Sequence, residues 1–480
     1  MIRGLLSLYW WRYPNTLVYM LQSTEYQAKP YLVWFWQTKD FSRVAYRREL
    51  NHTKAARMLL WALRLGMLAQ ILIGLTFIYA WYYNDMLGGW QFGLGLVLAY
   101  PIVWAHLVVL PLVLGRWAIV KPKQQRAIHH SEKVFAKHKG VVLAVVGSYG
   151  KTSMKELLLT VLSGSKKVAA TPANKNVAIS HAHFSRTLAG DEDLVIIEYG
   201  ESAPGDVARF AAVTHPTHAV ITGVAPAHLD HYKTVERAAD DIFSVTKFVE
   251  RDNVYVNGES PFVVPYTSNG SYAVYNREGV LGWKVSDVKI EITGTKFTLS
   301  KGKRSIKLHS GLLGGHQIGP LSFAAAFAAE LGMTDAQIKE GVSRTAPFEH
   351  RMQPYLMGGA WIIDDTYNGN IEGIRAGTSL LKELPATRKI YVSPGLVDQG
   401  KAGPQVHAEM GRLIADVSPD IVVLMDNSAA PDILRGLRDA GFEKEVIIED
   451  DPLGFYVNLQ AFVAAGDVVL MQNDWTDNYA

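Results

Sequence analysis

Val141-Val-Leu-Ala-Val-Val146-Gly147-Ser148-Tyr149-Gly150-Lys151-Thr152-Ser153 is the stretch on which the reading of this chain turns. The leading apolar residues, Val141–Val146, read as a buried strand, and Met154–Leu162 beyond the turn reads as a helix. Strand, glycine-rich turn ending in Lys-Thr, then helix is an arrangement that binds phosphate. Glycines let backbone N–H groups crowd around phosphate oxygens, and the helix N-terminus adds the positive end of its dipole. Gly147, Ser148, Gly150, Lys151, Thr152 and Ser153 would form this cradle. Lys151 would reach the β- and γ-phosphates, and Thr152 or Ser153 would offer a hydroxyl to Mg²⁺. The spacing is one residue shorter than G-x-x-x-x-G-K-[ST], and taken by itself the run also reads as an ordinary surface turn. The rest of the chain decides.

A chain of 480 residues expects two to four domains. An apolar content of 49% and a charged content of 19% fit a globular protein with an added membrane part. The net charge of +3 is too small to imply a nucleic-acid partner. There is no cysteine, which excludes disulfides, a cysteine nucleophile and thiolate zinc sites, and suits the cytoplasm. The 15 histidines include no His-x-x-x-His pair of the zinc-protease type.

The first 120 residues are different material, dominated by Trp, Tyr and Leu. Leu65–Tyr83 and Trp90–Gly115 carry no charged residue, and each is long enough as a helix to cross about 30 Å of hydrocarbon. With the short polar turn Asn84–Gly89 between them they read as a transmembrane hairpin over 59–120. Trp81, Tyr82, Tyr83 and Trp90 lie where an interfacial aromatic belt would be. Arg43, Arg47, Arg48, Lys54, Arg57 and Arg64 precede the hairpin, and Arg116, Lys121, Lys123 and Arg126 follow it, while the turn holds one Asp and no Lys or Arg. The positive-inside rule then puts both outer ends in the cytoplasm of a multi-pass inner-membrane protein. The other reading of these runs is a pair of buried core helices. Residues 1–58 mix aromatic with basic residues and read either as an interfacial, juxtamembrane segment or as a small membrane-packed subdomain.

From about Gly140 strands and helices alternate. Leu194–Glu198, His218–Thr222, Trp361–Asp364, Lys389–Val392, Ile421–Leu424, Val446–Ile448 and Asp467–Leu470 read as strands of parallel sheets wound with helices. Residues 280–310 differ, alternating polar and apolar as short antiparallel strands do. A helix follows at Leu321–Leu331 and ends at Gly332. This divides the soluble part into 135–350 and 351–480. Glu198 ends a strand where open α/β sheets place ligands, and beside a phosphate loop it is a natural Mg²⁺ ligand. His228 lands in a loop at the same edge.

GSYGKTS, Thr171-Pro-Ala-Asn174-Lys-Asn176, Glu198-Tyr-Gly with Pro204-Gly-Asp206, Ala227-His-Leu-Asp-His-Tyr232, Gly314-Gly-His316-Gln317, His350-Arg351-Met and Asp364-Asp365-Thr-Tyr367-Asn368-Gly-Asn370 follow one another along the chain. Ser393-Pro-Gly395-Leu-Val-Asp398-Gln-Gly400, His407 and the ending GDVVLMQNDWTDNY complete the series. In this order, over roughly 140–480, they resemble the Mur ligase family. The resemblance implies a central ATP-binding α/β domain followed by a smaller Rossmann-like domain, here preceded by the hairpin. It implies ATP-dependent amide-bond formation through an acyl phosphate. The bond would join a carboxylate of a cell-envelope, peptidoglycan-type precursor, lipid-linked or UDP-linked, to an amino acid or a dipeptide such as D-alanyl-D-alanine. It further implies that Lys151 and Thr152 hold the triphosphate and a first Mg²⁺, that Glu198 binds Mg²⁺, and that His228 supports a second metal ion. By the same resemblance Asn174 lies near the γ-phosphate and His316 and Gln317 near adenine. Arg351 and Asp365 would approach the nucleotide from the hinge and the C-terminal domain, and Tyr367, Asn368 and Asn370 would bind substrate along the interdomain cleft.

The chain departs from the family in three places. The domain that grips the UDP part of the substrate has no counterpart, and the hairpin stands in its place. The position of the carbamoylated lysine of many members falls near Ile242, five residues before Lys247. The proline after the Asn-x-Asn cluster is Ile371. Other readings are a related ligase for another polymer or lipid-linked precursor, a nucleotide-dependent membrane switch, and an inactive scaffold. The amidating relatives carry a four-cysteine zinc module that this chain lacks. The guanine signature Asn-Lys-x-Asp is absent, and retention of Lys151, Glu198, His228 and Asp365 opposes a scaffold.

Overall fold

The computed structural model describes residues 6–24, 26–44, 50–84, 89–173, 175–226, 229–268, 270, 272–367, 369–397 and 399–473. The chain forms two units, Met1–Arg126 and Ala127–Ala480.

In the first unit, helices Lys54–Asn84 and Gly89–Leu107 pack along each other. Both are long and apolar enough to cross a bilayer. The turn between them, expected at Asn84–Gly89, lies largely outside the described residues. Gly74 and Gly93 set the crossing: a Cβ on Gly93 would stand 2.5 Å from the Gly74 carbonyl oxygen. Small residues at such a contact let two backbones approach closely. Pro101 is accommodated inside its helix, whereas the regular bonding is interrupted at Val108, with the backbone still helical, and resumes as Val109–Gly115. Pro111 supplies the reason, because it has no N–H for the carbonyl of Leu107 one turn earlier. Residues 6–44 are not a loose surface segment. Helices Tyr13–Ser23 and Ala28–Gln37 bury Tyr13, Leu17, Val18, Leu21, Tyr31 and Phe35 in one cluster with Leu63, Met67 and Ala105. The hydroxyls of Tyr13 and Tyr31 donate to the carbonyls of Pro101 (3.0 Å) and Ala105 (3.1 Å).

Among the described residues the second unit contains three sheets. The first has strands β1 (Val141–Val146), β2 (Val168–Ala170), β3 (Leu194–Glu198), β4 (His218–Ile221), β5 (Val254–Asn257) and β6 (Ala273–Tyr275), all parallel, in the order β2-β3-β1-β4-β5-β6. Side chains alternate across it as the pleat requires. Leu143, Val145, Leu194 and Ile196 face helices Lys151–Leu162, Ile318–Glu330 and Asp335–Ser343. Val142, Ala144, Val146, Val195 and Ile197 face helices Ala178–Phe184, Asp206–Thr214 and Val235–Phe243. A sheet buried on both faces needs continuous apolar strands, which is why β1 and β3 read as unbroken runs.

The second sheet is antiparallel, in the order β10-β9-β8-β7, from β7 (Gly279–Val280), β8 (Trp283–Glu291), β9 (Gly294–Lys301) and β10 (Arg304–Ser310). It turns Trp283, Phe297, Leu299, Ile306 and Leu308 inward and leaves Lys284, Lys296 and Lys307 in solvent. The third has β11 (Gln353–Met357), β12 (Ala360–Asp365), β13 (Lys389–Ser393), β14 (Ile421–Met425), β15 (Glu445–Glu449) and β16 (Val468–Gln472), in the order β11-β12-β16-β13-β14-β15. Only β11 runs antiparallel. The helix expected from Met154 begins at Lys151, immediately after Gly150 in the left-handed region (φ +73°). The helix expected at Leu321–Leu331 spans Ile318–Glu330, and Gly332 follows it at φ +80°.

Helices Gly403–Val417 and Ala430–Asp439 cross at two glycines, and a Cβ on Gly436 would stand 2.0 Å from the Ala408 carbonyl oxygen. Alanine is the better helix former, by about 1 kcal/mol. Here the clash is with rigid backbone, so overpacking outweighs propensity. Gly436→Ala is expected to destabilise this part of the chain by roughly 1–3 kcal/mol, read as a lower denaturation midpoint. An unchanged or higher midpoint would contradict the packing described.

Candidate active site

β1 lies between β3 and β4, so the chain leaving all three carboxyl ends converges on one point. The loop after β1 needs its glycines. Gly147 has φ +148°, and a Cβ there would stand 2.4 Å from Thr222 Oγ1. The N–H of Ser148 donates to the Gly223 carbonyl (2.8 Å), and the Thr222 hydroxyl donates to the carbonyls of Val146 (3.2 Å) and Tyr149. β4 therefore fixes the loop in front of helix Lys151–Leu162.

That helix has no side-chain cap at its N-terminus, and the buried Ser148 hydroxyl finds no partner among the described residues. Both are donor groups that phosphate oxygens would satisfy. The Lys151 ammonium donates to the Gly147 carbonyl and lies 2.8 Å from Glu201 Oε2. Thr152 Oγ1 donates to Glu198 Oε1 at 3.1 Å. Ser153 follows in the same first turn.

Glu198 is 1% exposed, and its buried Oε2 accepts no hydrogen bond among the described residues. Its N–H donates to Thr171 Oγ1 (3.1 Å), and its carbonyl lies 2.9 Å from His181 Nε2. Asn176 Nδ2 donates to its Oε1 (3.3 Å), and the Lys155 ammonium lies 3.3 Å from its Oε2. Lys155 is itself fully buried and also donates to the Ala173 carbonyl. Burial pushes His181 down to about 4, so it is neutral at pH 7. The Thr171–Asn176 loop is thus tied to the phosphate loop through Glu198 and Lys155. Reading the sequence missed Lys155, Glu201 and His181. The available signal for Lys155 was its position four residues after Lys151, on the same helix face.

Asn174, His228 and Asn368 lie outside the described residues, as does Asp398. Among the described residues no three His, Cys, Asp or Glu side chains are grouped to hold a metal. One carboxylate and one hydroxyl at a phosphate site nonetheless fit Mg²⁺, which keeps waters and takes phosphate oxygens as ligands. The residues that would hold it are Thr152 and Glu198.

The remaining expected residues gather at the start of the third sheet and its approach. His316 Nε2 and Gln317 Nε2 are 2.9 Å apart, and burial pushes His316 down to about 4. The Arg351 guanidinium lies over the Tyr367 ring, 4.4 Å from its centroid. Asp365 Oδ1 accepts from the N–H of Met352 (3.2 Å), and its Oδ2 accepts from Gln472 Nε2 (2.8 Å). Burial raises the Asp365 carboxyl to about 6, against the lowering pull of these bonds and of Arg351. Asn370 is engaged locally: it caps helix Ile371–Glu383, its Oδ1 accepting from the N–H of Gly373 (2.9 Å).

A parallel sheet with a glycine loop and a strand-end carboxylate, followed by a second α/β sheet, defines a nucleotide-dependent α/β enzyme. Residues 145–328 match the Mur ligase middle domain, and residues 350–472 match the Mur ligase glutamate ligase domain. The chain belongs to the Mur ligase family and is an ATP-dependent, amide-bond-forming ligase that uses ATP and Mg²⁺. It is 28% identical over 365 residues to the UDP-N-acetylmuramoyl-tripeptide--D-alanyl-D-alanine ligase of Mycobacterium leprae, covering 69% of this chain and 70% of that protein. Its fold is similar to MurF from Acinetobacter baumannii (TM-score 0.64, 20% identity, 73% of this chain and 77% of that one). It is also similar to the MurF ligase from Thermotoga maritima in complex with ADP (TM-score 0.63, 22% identity, 73% and 80%).

Two outcomes are expected. Lys151→Ala removes a fixed charge from the candidate phosphate loop and is expected to slow ATP-dependent ligation by at least ~100-fold, measured as turnover. Near-normal turnover would remove the loop from the active site. For Asp365, the native carboxyl keeps a proton up to about pH 6 that the unfolded chain releases near 3.8. Its stabilising share is therefore complete below about 3.8 and is lost as pH rises through about 6. Wild type is expected to lose on the order of 2 kcal/mol over that window relative to Asp365→Asn. Parallel denaturation curves at pH 4 to 7 measure the difference.

Proposed function

We propose that this chain is a membrane-anchored ligase on the cytoplasmic face of the inner membrane. It would join an amino acid or dipeptide, D-alanyl-D-alanine first among them, to a carboxylate of a muramoyl-peptide precursor. The observation that carries the reading is one chain in which a phosphate loop with Lys151, Thr152 and Glu198 follows two long apolar helices. The amine and the precursor are suggested by the Mycobacterium leprae relative, whose name specifies a tripeptide acceptor and D-alanyl-D-alanine.

The bound nucleotide supplies the phosphoryl group that activates the acceptor carboxylate. Lys151 and the N-terminus of helix Lys151–Leu162 would offset charge on the transferring group, and Thr152 with Glu198 would hold the metal. Arg351 and Asp365, on the second α/β sheet and its approach, would meet the nucleotide from the other side. Tyr367, half exposed beneath Arg351, is available to the incoming amine.

Membrane anchoring is supported by exposure. Only 22% of each apolar window is buried, whereas core helices of a soluble protein would be mostly covered. Leu65, Leu68, Leu72, Ile73, Tyr79, Phe92 and Leu98 all face outward. The basic residues before Leu65 and after Gly115 support cytoplasmic ends for both helices. Two membrane-crossing helices on the same chain would hold the ligase beside an acceptor carried in that membrane.

Detergent-purified protein is to be given ATP, D-alanyl-D-alanine and either a UDP-linked or a lipid-linked muramoyl tripeptide. The expected result is one ADP per product, with the product mass raised by the dipeptide less one water, and the lipid-linked acceptor preferred. ATP turnover with no amide product from either acceptor would overturn the reading. For topology, a reporter fused after Lys121 is expected to behave as cytoplasmic, and one within residues 85–88 as exported. The opposite pattern would refute the anchor.

A further inference from the structure

We infer that the open face of the antiparallel sheet β7–β10 is a docking surface for anionic lipid headgroups, which holds the catalytic unit against the membrane that anchors the chain. The inference rests on the membrane anchor proposed above. Trp283–Ser310 carries seven Lys or Arg against two Asp or Glu, a net +5. The whole chain is only +3, so everything outside this segment is net negative. The pleat sorts these charges onto two sides. Lys301 and Arg304 lie on the side of Phe297 and Ile306 and are neutralised there by acids of the packed helices, Lys301 by Glu330 (3.3 Å) and Arg304 by Asp335 (2.5 Å). Lys284, Lys289, Lys296 and Lys307 stand on the opposite side and are exposed.

Register decides how close these lysines lie. Lys284 is level with Ser300 and Ser305, Lys307 with Thr298 and Ser286, and Lys289 with Lys296 and His309. Neighbouring strands are about 4.8 Å apart, so the four ammonium groups share one patch, separated on the sheet by Ser and Thr side chains. Lys289 directly opposite Lys296 is a like-charge pair, which costs a sheet stability. Glu291 pairs with Lys296 at 2.7 Å and also feels Lys289 and His309, so one acid serves three basic groups. Asp287, at the bulge between Ser286 and Lys289, accepts from the Ser286 hydroxyl (3.1 Å). Lys284 and Lys307 form no ion pair among the described residues. The face thus carries cations in excess of its acids, and the anionic leaflet of a bilayer is the matching counter-charge. Each lysine at such a surface gains on the order of fivefold in binding. The attraction fades beyond a Debye length of about 10 Å at 0.1 M salt. A chain anchored by two apolar helices supplies the face to that surface at high effective concentration. Docking would keep the ligase beside an acceptor carried in the same leaflet.

The chain has no cysteine, so Ser305→Cys, exposed on this face, takes a single fluorescent label. Full-length labelled protein is reconstituted in nanodiscs of neutral phosphatidylcholine, or of the same lipid mixed with phosphatidylglycerol, with a quencher on the lipid headgroups. Strong quenching is expected in the anionic discs and little in the neutral ones, and the difference is expected to vanish at high salt. Combining Lys284→Gln, Lys289→Gln and Lys307→Gln is expected to lower the ratio of docked to undocked protein roughly 100-fold in anionic discs. Lys284→Gln alone, expected to lower it about fivefold, serves should the triple variant not fold. Equal quenching in the two kinds of disc, or quenching unchanged in the variants, overturns the inference. A label that responds to an oligonucleotide and not to anionic discs also overturns it, in favour of a nucleic-acid face. Failure of the protein to enter either kind of disc would instead overturn the membrane anchor.

Discussion

A buried carboxylate is the constraint around which the catalytic unit is organised. Glu198 ends a fully buried strand at 1% exposure, and an ionised carboxylate there is tolerable only if its oxygens are partnered. Thr152, Asn176 and Lys155 supply those partners, Thr152 and Lys155 from one helix and Asn176 from a separate loop. Thr152 opens the helix after the phosphate loop, Asn176 belongs to the loop after β2, and Lys155 reaches across to the Ala173 carbonyl. Satisfying one charge thus fixes two loops and one helix end. The parts of the site are tied together by a shared electrostatic obligation, and the apolar strands beneath supply the platform.

The third sheet brings a different kind of group. Asp365 sits where burial and hydrogen bonding pull its carboxyl in opposite directions, and burial prevails. Gln472 fastens it to β16 and also donates to the Gly373 carbonyl, while accepting from the Tyr391 hydroxyl. The last strand of the sheet therefore orients a residue on β12 and the start of the helix that follows. His350 and Met352 flank Arg351 in left-handed backbone (φ +59° and +46°), and His350 is bonded to Asp364 at 2.7 Å. Non-glycine residues seldom adopt this conformation, and two of them on either side of Arg351 fix the entry into the second α/β sheet.

The N-terminal unit answers a separate physical problem. Two apolar helices with prolines in the return helix need a close contact and support from the segment packed against them. Tyr13 and Tyr31 reach the carbonyls of Pro101 and Ala105, and Gly74 meets Gly93 at the crossing. The segment before the hairpin is thereby a packed pair of short helices with its own buried tyrosines. Its hydrophobic pattern alone left that open, because mixed aromatic and basic residues suit a membrane surface as well as a packed face.

By itself the sequence determined whatever depends on local pattern. Unbroken apolar runs gave β1 and β3, polar–apolar alternation gave the antiparallel strands of 280–310, and Gly147-Ser-Tyr-Gly-Lys-Thr gave the loop and its helix. The sequence could not yield β2, β5, β6, β7 and β11, which are two to five residues long and are strands only because a neighbour pairs with them. It also named Lys151, Thr152 and Glu198, because motif spacing and strand ends are linear features. Tertiary structure alone decided that Lys155 belongs to Glu198 and Glu201 to Lys151, since charges distant in sequence become partners only when β3 is laid beside β1. Asn370, legible as one residue of a polar cluster, took its role as a helix cap from the backbone that follows it. Linear order carries the groups that a single element presents; pairing between elements carries the electrostatics, and that exists only in the folded chain.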